Sequence, residues 1–206
     1  MYGPCFLASA PLLCVFPSFF DVETTELASK TKPSSQLPLA IAGVRSENKN
    51  TLFSPKKLDP ALRVGTLEAL FHHLRRAPML VGHNVIDFDY QVVQKYGDPS
   101  DVKAWQAKTV DMFAILRRQT GEWFRLEDLA EANIGMSKKE DSREVPALWT
   151  AGQHQRVIEY LNQDLEMTQR LYESGKTNGF LLITKERDPD TWEWIPCPPR
   201  KIKISW

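Results

Sequence analysis

The sequence predicts an α/β domain, a mixed β-sheet flanked by α-helices. Three observations carry that expectation. Apolar, strand-like runs fill the first third of the chain, at 12–20, 37–44 and 51–53. Helical stripes and short apolar strands then alternate from Thr66 onward. The chain has 206 residues, enough for one domain with its own core and short for two.

Composition narrows the function classes. Hydrophobic residues make up 42% and charged residues 25%, as in an ordinary soluble protein. The 26 basic residues balance 26 acidic ones, so no global positive field draws in nucleic acid. An anionic partner would have to be met by local cations or by metal. Cys5, Cys14 and Cys197 are odd in number and match neither a zinc spacing nor a disulfide framework. Free thiols and a cytoplasmic location are therefore expected. No Lys or Arg precedes Lys30, and Pro11 and Pro17 interrupt the early apolar run. That run reads as an inner strand rather than a signal peptide or a membrane span. The reading gives residues 1–10 no role.

The elements follow in order. The first strand runs into Phe19-Phe20-Asp21-Val22-Glu23-Thr24-Thr25. Strand alternation puts Asp21 and Glu23 on one face. After a polar loop, 37–44 and 51–53 form a hairpin around a turn at Glu47-Asn48-Lys49-Asn50. Thr66 caps a helix carrying Leu67, Leu70, Phe71 and Leu74. A short strand at 79–81 ends at Gly82-His83-Asn84, and a helix then runs to about Lys95. Gly97 to Ser100 reads as a loop, and 108–110 as a strand. Asp111 caps a helix over 112–119. Leu126, Leu129, Ala130 and Ile134 form the next stripe, closed by Gly135. Residues 136–144 read as a charged, mobile loop holding Lys138 and Lys139. The strongest helix covers 154–173, with Val157, Ile158, Leu161, Leu165, Thr168 and Leu171 facing the core and Gly175 or Gly179 at its end. Residues 1–180 form the domain. The tail, 181–206, is an extension read as two strands around Pro198-Pro199, packed on the domain or on a partner through Trp192, Trp194 and Trp206.

Four acids stand out: Asp21, Glu23, Asp89 and Asp164. Burying like charges together is costly unless a cation sits between them. Tyr160 lies four residues before Asp164, hence on the same helix face. Each has a plain structural alternative: a helix cap for Asp89, a solvated helix acid for Asp164, a core aromatic for Tyr160. Asp87 competes with Asp89 on spacing alone, and His83 reads as a turn residue. Taken together, the acids suit hard divalent ions. Two such ions can stabilise both the attacking and the leaving oxygen of a phosphodiester.

Three motifs in order make the resemblance specific. Phe20-Asp21-Val22-Glu23-Thr24-Thr25, Asn84-Val85-Ile86-Asp87-Phe88-Asp89 and Tyr160-Leu161-Asn162-Gln163-Asp164 resemble the three motifs of DEDD-type 3′–5′ exonucleases. The third marks the tyrosine subgroup, which includes polymerase proofreading domains. The resemblance implies a ribonuclease H-like fold and two Mg²⁺ or Mn²⁺ ions held by Asp21, Glu23, Asp89 and Asp164. Asp21 would bridge them, Glu23 and Asp164 would serve the nucleophile side, and Asp89 the leaving-group side. Tyr160 would orient the attacking water. The resemblance selects Asp89 over Asp87, because Asp89 follows Phe88. Substrate contacts are expected at Thr24, Leu27, Asn84, Phe88 and Lys138, with Leu27 beside the terminal base. Glu26 stands where the family commonly has glycine. The implied substrate is the 3′ end of single-stranded DNA or RNA, with a helicase or polymerase as a possible delivering partner. The competing readings are an endonuclease or DNA-repair nuclease of the same superfamily, and a catalytically silent nucleic-acid-binding module.

Overall fold

A computed structural model describes residues 16–138 and 141–206. The expectations for residues 1–10, the start of the first apolar run, Cys5, Cys14 and Lys139 lie outside these. Five strands form one sheet: β1 (Ser18–Thr24), β2 (Leu39–Ser46), β3 (Lys49–Phe53), β4 (Leu80–Gly82) and β5 (Thr109–Asp111). Their order is β3-β2-β1-β4-β5, with β1 antiparallel to β2 and parallel to β4. The sheet is mixed, as predicted, and β1 lies at its centre. The β2–β3 turn is tighter than the sequence suggested. Glu47 and Asn48 alone turn the chain, both with positive φ (49° and 62°), as a two-residue hairpin turn requires.

Alternation along β1 divides its side chains between two layers. Phe20 and Val22 pack with Leu70, Leu74, Tyr90 and Trp105 on one face. That layer holds α1 (Leu67–Arg76), α2 (Tyr90–Val93) and α3 (Pro99–Gln106). Phe19 packs on the other face with Met112, Leu116, Leu161 and Leu165. That layer holds α4 (Met112–Thr120), α5 (Leu126–Ile134), α6 (Val145–Thr150) and α7 (His154–Asn178). Asp21 and Glu23 share the parity of Phe19 and so face α7.

Two helices escaped the sequence reading. α3 begins at Pro99, where a loop was expected. Asp98 caps it, accepting the Ser100 N–H at 2.8 Å, and Pro99 fills the first position. Only Val102 and Trp105 are buried from it, too few for a visible stripe. α6 lies at 145–150, between the expected loop at 136–144 and the long helix, in a stretch to which the sequence reading gave no element. The long helix α7 ends at Gly179 (φ 74°), whose N–H bonds the Gly175 carbonyl.

The tail forms an antiparallel pair, β6 (Phe180–Arg187) with β7 (Trp194–Lys203). Its turn lies at Asp188–Glu193 and not at Pro198-Pro199. The prolines sit inside β7, where the register slips: Ile183 pairs with Arg200 and Lys185 with Pro196. Such a bulge is where a strand tolerates residues without an N–H. Asn133 of α5 clamps the pair, bonding both the N–H and the carbonyl of Leu182. Trp206 stacks on Tyr172 of α7. Trp192, by contrast, is exposed at the turn, with Arg187 over its ring. Among the described residues no helix is long and apolar enough to cross a membrane.

Candidate active site

A cavity of about 570 Å³ opens over the end of β1. All ten residues proposed from sequence line it: Asp21, Glu23, Thr24, Leu27, Asn84, Phe88, Asp89, Lys138, Tyr160 and Asp164. Asp87 does not line it and is exposed.

Close packing of α7 on β2 assembles the acids. Asp21 pairs in register with Gly43. A Cβ on Gly43 would sit 2.6 Å from Leu165 and 3.2 Å from Leu161. Glycine there lets α7 approach the sheet, which brings Asp164 over Asp21. Carboxylate oxygens of Asp21, Glu23 and Asp164 all lie within 4.8 Å of one another. Tyr160 and Thr168 flank Asp164 one turn away on either side, and both line the cavity. The i+4 spacing could have flagged Thr168 as a wall residue as well as a core one.

Asp89 arrives from another direction. β4 pairs with β1 only at Ser18 and Phe19, so the Val22 N–H has no strand partner on that side. Asp89 Oδ1 accepts it at 2.8 Å. The turn that delivers Asp89 begins at Asn84, which adopts φ 69°, and continues through a π-helical turn over Val85–Asp89. Asp111 holds this turn. Its carboxylate accepts the N–H groups of Asn84 (2.9 Å), Ile86 (3.0 Å) and Ala114 (3.1 Å). The expected helix cap therefore also ties α4 to the Asn84–Asp89 segment, a long-range role that spacing does not reveal.

Lys138 is the larger surprise. It was expected on a mobile loop as a substrate contact. Its side chain is 11% exposed, and its ammonium donates to Asp164 Oδ2 at 2.6 Å and to the Tyr160 hydroxyl at 2.7 Å. The cation fixes both side chains at once.

Electrostatics confirm how crowded the acids are. Burial, then the Asp164 charge, pushes the Asp21 carboxyl up to about 7. Glu23 is raised by burial and by Asp21 and Asp164. Asp89 is raised by burial and by Asp21. Burial raises Asp164 too, against the pull of Lys138. Burial opposes the charged form of Lys138, but Asp164, Asp21 and Glu23 together outweigh it and hold its pKa above the usual lysine value. One lysine faces three carboxylates, Asp164, Asp21 and Glu23, so the site favours further positive charge. Asp164 Oδ1 is buried without a hydrogen-bond partner. A hard donor set with an unused buried oxygen fits a divalent cation.

His83 lines the cavity as a neutral imidazole. Burial pushes its pKa down to about 4, and Nε2 donates to the Phe124 carbonyl at 2.9 Å.

Comparison with known proteins agrees with this architecture. No curated protein matches the sequence. Among solved structures, the chain is similar to the family B DNA polymerase from the hyperthermophilic archaeon Pyrobaculum calidifontis, with a TM-score of 0.56 at 12% identity. The match covers 79% of this chain and 24% of the polymerase, so the chain spans about a quarter of that protein. At that identity the likeness speaks to fold alone. Residues 18–175, well over half of the chain, match the sequence profile of the RNase_H superfamily. That stretch contains β1, the Asn84–Asp89 turn and α7, and the chain belongs to the ribonuclease H superfamily.

Proposed function

We propose that the chain is a metal-dependent 3′–5′ exonuclease of the tyrosine subgroup, hydrolysing phosphodiester bonds at the 3′ end of single-stranded DNA or RNA. The observation that carries this reading is the convergence of Asp21, Glu23 and Asp164 within 4.8 Å, beside Tyr160 and Lys138. Asp21, Glu23, Asp89 and Asp164 are the residues that would hold two divalent ions, Mg²⁺ or Mn²⁺. Such ions supply a nucleophile at neutral pH and neutralise charge on the leaving oxygen.

The chain's own groups do the rest. The Tyr160 hydroxyl accepts a hydrogen bond from Lys138, so its own proton can be donated, to the Asp164 carboxylate or to an attacking water. Burial and the neighbouring acids raise the Tyr160 pKa, so the hydroxyl stays protonated at neutral pH. It therefore orients the water rather than removing its proton. Lys138 holds Tyr160 and Asp164 at a fixed separation and adds positive charge where an anion must approach. Leu27, 53% exposed and lining the cavity, would press against the terminal base. Phe88 and Asn84 also line the cavity and would contact the substrate.

Oligonucleotides of DNA and RNA labelled at the 5′ end, incubated with Mg²⁺ or Mn²⁺, test the reading. A ladder shortening stepwise from the 3′ end is expected, and a blocked 3′ end should stop it. Cleavage of circular strands would favour an endonuclease. Binding without cleavage in either metal would favour a silent module.

A further inference from the structure

Two exposed large apolar side chains are tied to the cavity: Leu27 lines it, and Trp123 connects to its wall through neighbouring groups. Leu27 has a place in the proposed reaction; Trp123 has none. It lies on the loop between α4 and α5, 48% exposed. Its ring meets Phe113 edge-on at 5.4 Å, and Phe113 meets His83 edge-on at 5.5 Å. His83 lines the cavity and bonds the carbonyl of Phe124, the residue after Trp123. Leu126, three residues on, lines the cavity as well. Trp123 is thus fastened to the cavity wall by ring packing and by its own loop.

A cation completes the arrangement. The Arg117 guanidinium lies over the Trp123 ring, 4.7 Å from its centre. Arg117 is exposed and has no ion-pair partner among the described residues. Its cationic neighbours differ. Arg125 pairs with Asp128 and Glu127, Arg143 with Asp141, Arg200 with Glu122, and Lys185 with Asp128 and Glu131. Beside the Trp123 ring, Arg117 is a cation available to meet a phosphate. Arg118, adjacent in sequence, lines a different cleft with Ile86 and Asp111.

From this geometry we infer that Trp123 and Arg117 form a stacking platform for a base of the single strand leading away from the cavity. The inference rests on the exonuclease reading and adds where the strand goes. An indole face can receive a base only if that base is unpaired, so the ligand class is single-stranded nucleic acid with little sequence preference. Arg117 stays over the indole or turns to the adjoining phosphate. A purely structural Trp123 would serve only to cover Phe113, which any bulky apolar residue could do.

That contrast sets the test. Binding of a homopolymeric dinucleotide and of a longer strand is measured by fluorescence anisotropy for the intact chain, Trp123→Leu and Trp123→Phe. Trp123→Leu keeps an apolar cover on Phe113 but has no aromatic face. The gain in affinity from the short to the long ligand should shrink about 5- to 100-fold in Trp123→Leu. Trp123→Phe should retain most of it. Equal length dependence in all three proteins would overturn the platform while leaving the exonuclease reading intact. Equal loss in both variants would show that the indole acts only through packing or its ring N–H, and would overturn stacking as well. Failure of the unsubstituted protein to bind or shorten any strand would overturn both readings together.

Discussion

Tyr160→Phe removes one hydroxyl and leaves every carboxylate in place, so under the proposed mechanism it would separate orientation of water from retention of metal. Lys138 would lose one acceptor and keep Asp164. Turnover should fall about 100-fold with metal affinity nearly unchanged, read by single-turnover hydrolysis and metal titration. Full activity in this variant would reduce Tyr160 to a packing residue. Asp21 offers a complementary measurement through stability. Its folded pKa, about 7, stands above the ordinary carboxylate value because of burial and Asp164. The unfolded chain ionises Asp21 more readily. The stability associated with protonated Asp21 is therefore fully present below about pH 4 and lost as pH rises towards 7 and beyond. In chelator, melting temperature relative to an Asp21→Asn variant should fall across that window. Added Mn²⁺ should restore it most at the high-pH end. A difference between the two proteins that does not change with pH would contradict the crowding of the acids.

Elements carry the site, and they differ in how plainly the sequence announces them. β1 was legible because Asp21 and Glu23 break an apolar run at strand period. The inward face of α7 was legible because Val157, Leu161 and Leu165 repeat at helical spacing beside Tyr160 and Asp164. α3 was missed because it buries only Val102 and Trp105, although Asp98-Pro99 was a readable start signal. Asp111 caps its helix as read and Lys138 lines the cavity, but the long-range contacts of both were not legible, for a different reason. Their partners lie 22 to 27 residues away, and local pattern carries no information about such contacts. The same holds for the tail, where Pro198-Pro199 suggested a turn but occupies a bulge. The seat of that tail on α7 is testable at Gly175. A Cβ there would sit 2.4 Å from both Ile204 and the Trp206 ring. Leucine is a good helix former, so any loss in Gly175→Leu reflects crowding of the tail rather than helix propensity. Stability should drop by about 1–3 kcal/mol, measured as a lower denaturant midpoint. An unchanged midpoint would mean that the tail does not need to pack there.

At the scale of the whole molecule, charge balance sets how the chain would hold a strand. Net charge is zero, and most cations around the cavity mouth are already paired with carboxylates. Lys138 faces inward, committed to Asp164 and Tyr160. Few phosphates can then be neutralised at once. For two or three such contacts on a single strand, the logarithm of affinity should fall with the logarithm of salt at a slope of about −1.5 to −2. A strand held so lightly is released between cuts, so the isolated protein should degrade distributively. A trap of unlabelled strand added after the first turnover distinguishes the cases. Intermediates that stop shortening once the trap is present are the expected result. Long runs that survive it would require a grip that the described cations do not supply. A distributive enzyme with a zero-charge surface would gain most from a partner that presents the 3′ end, a helicase or polymerase. Under the proposed function, adding such a partner should raise cleavage at high salt more than at low salt, because it would replace the electrostatic part of binding and leave the proposed chemistry at Asp21 and Asp164 as it was.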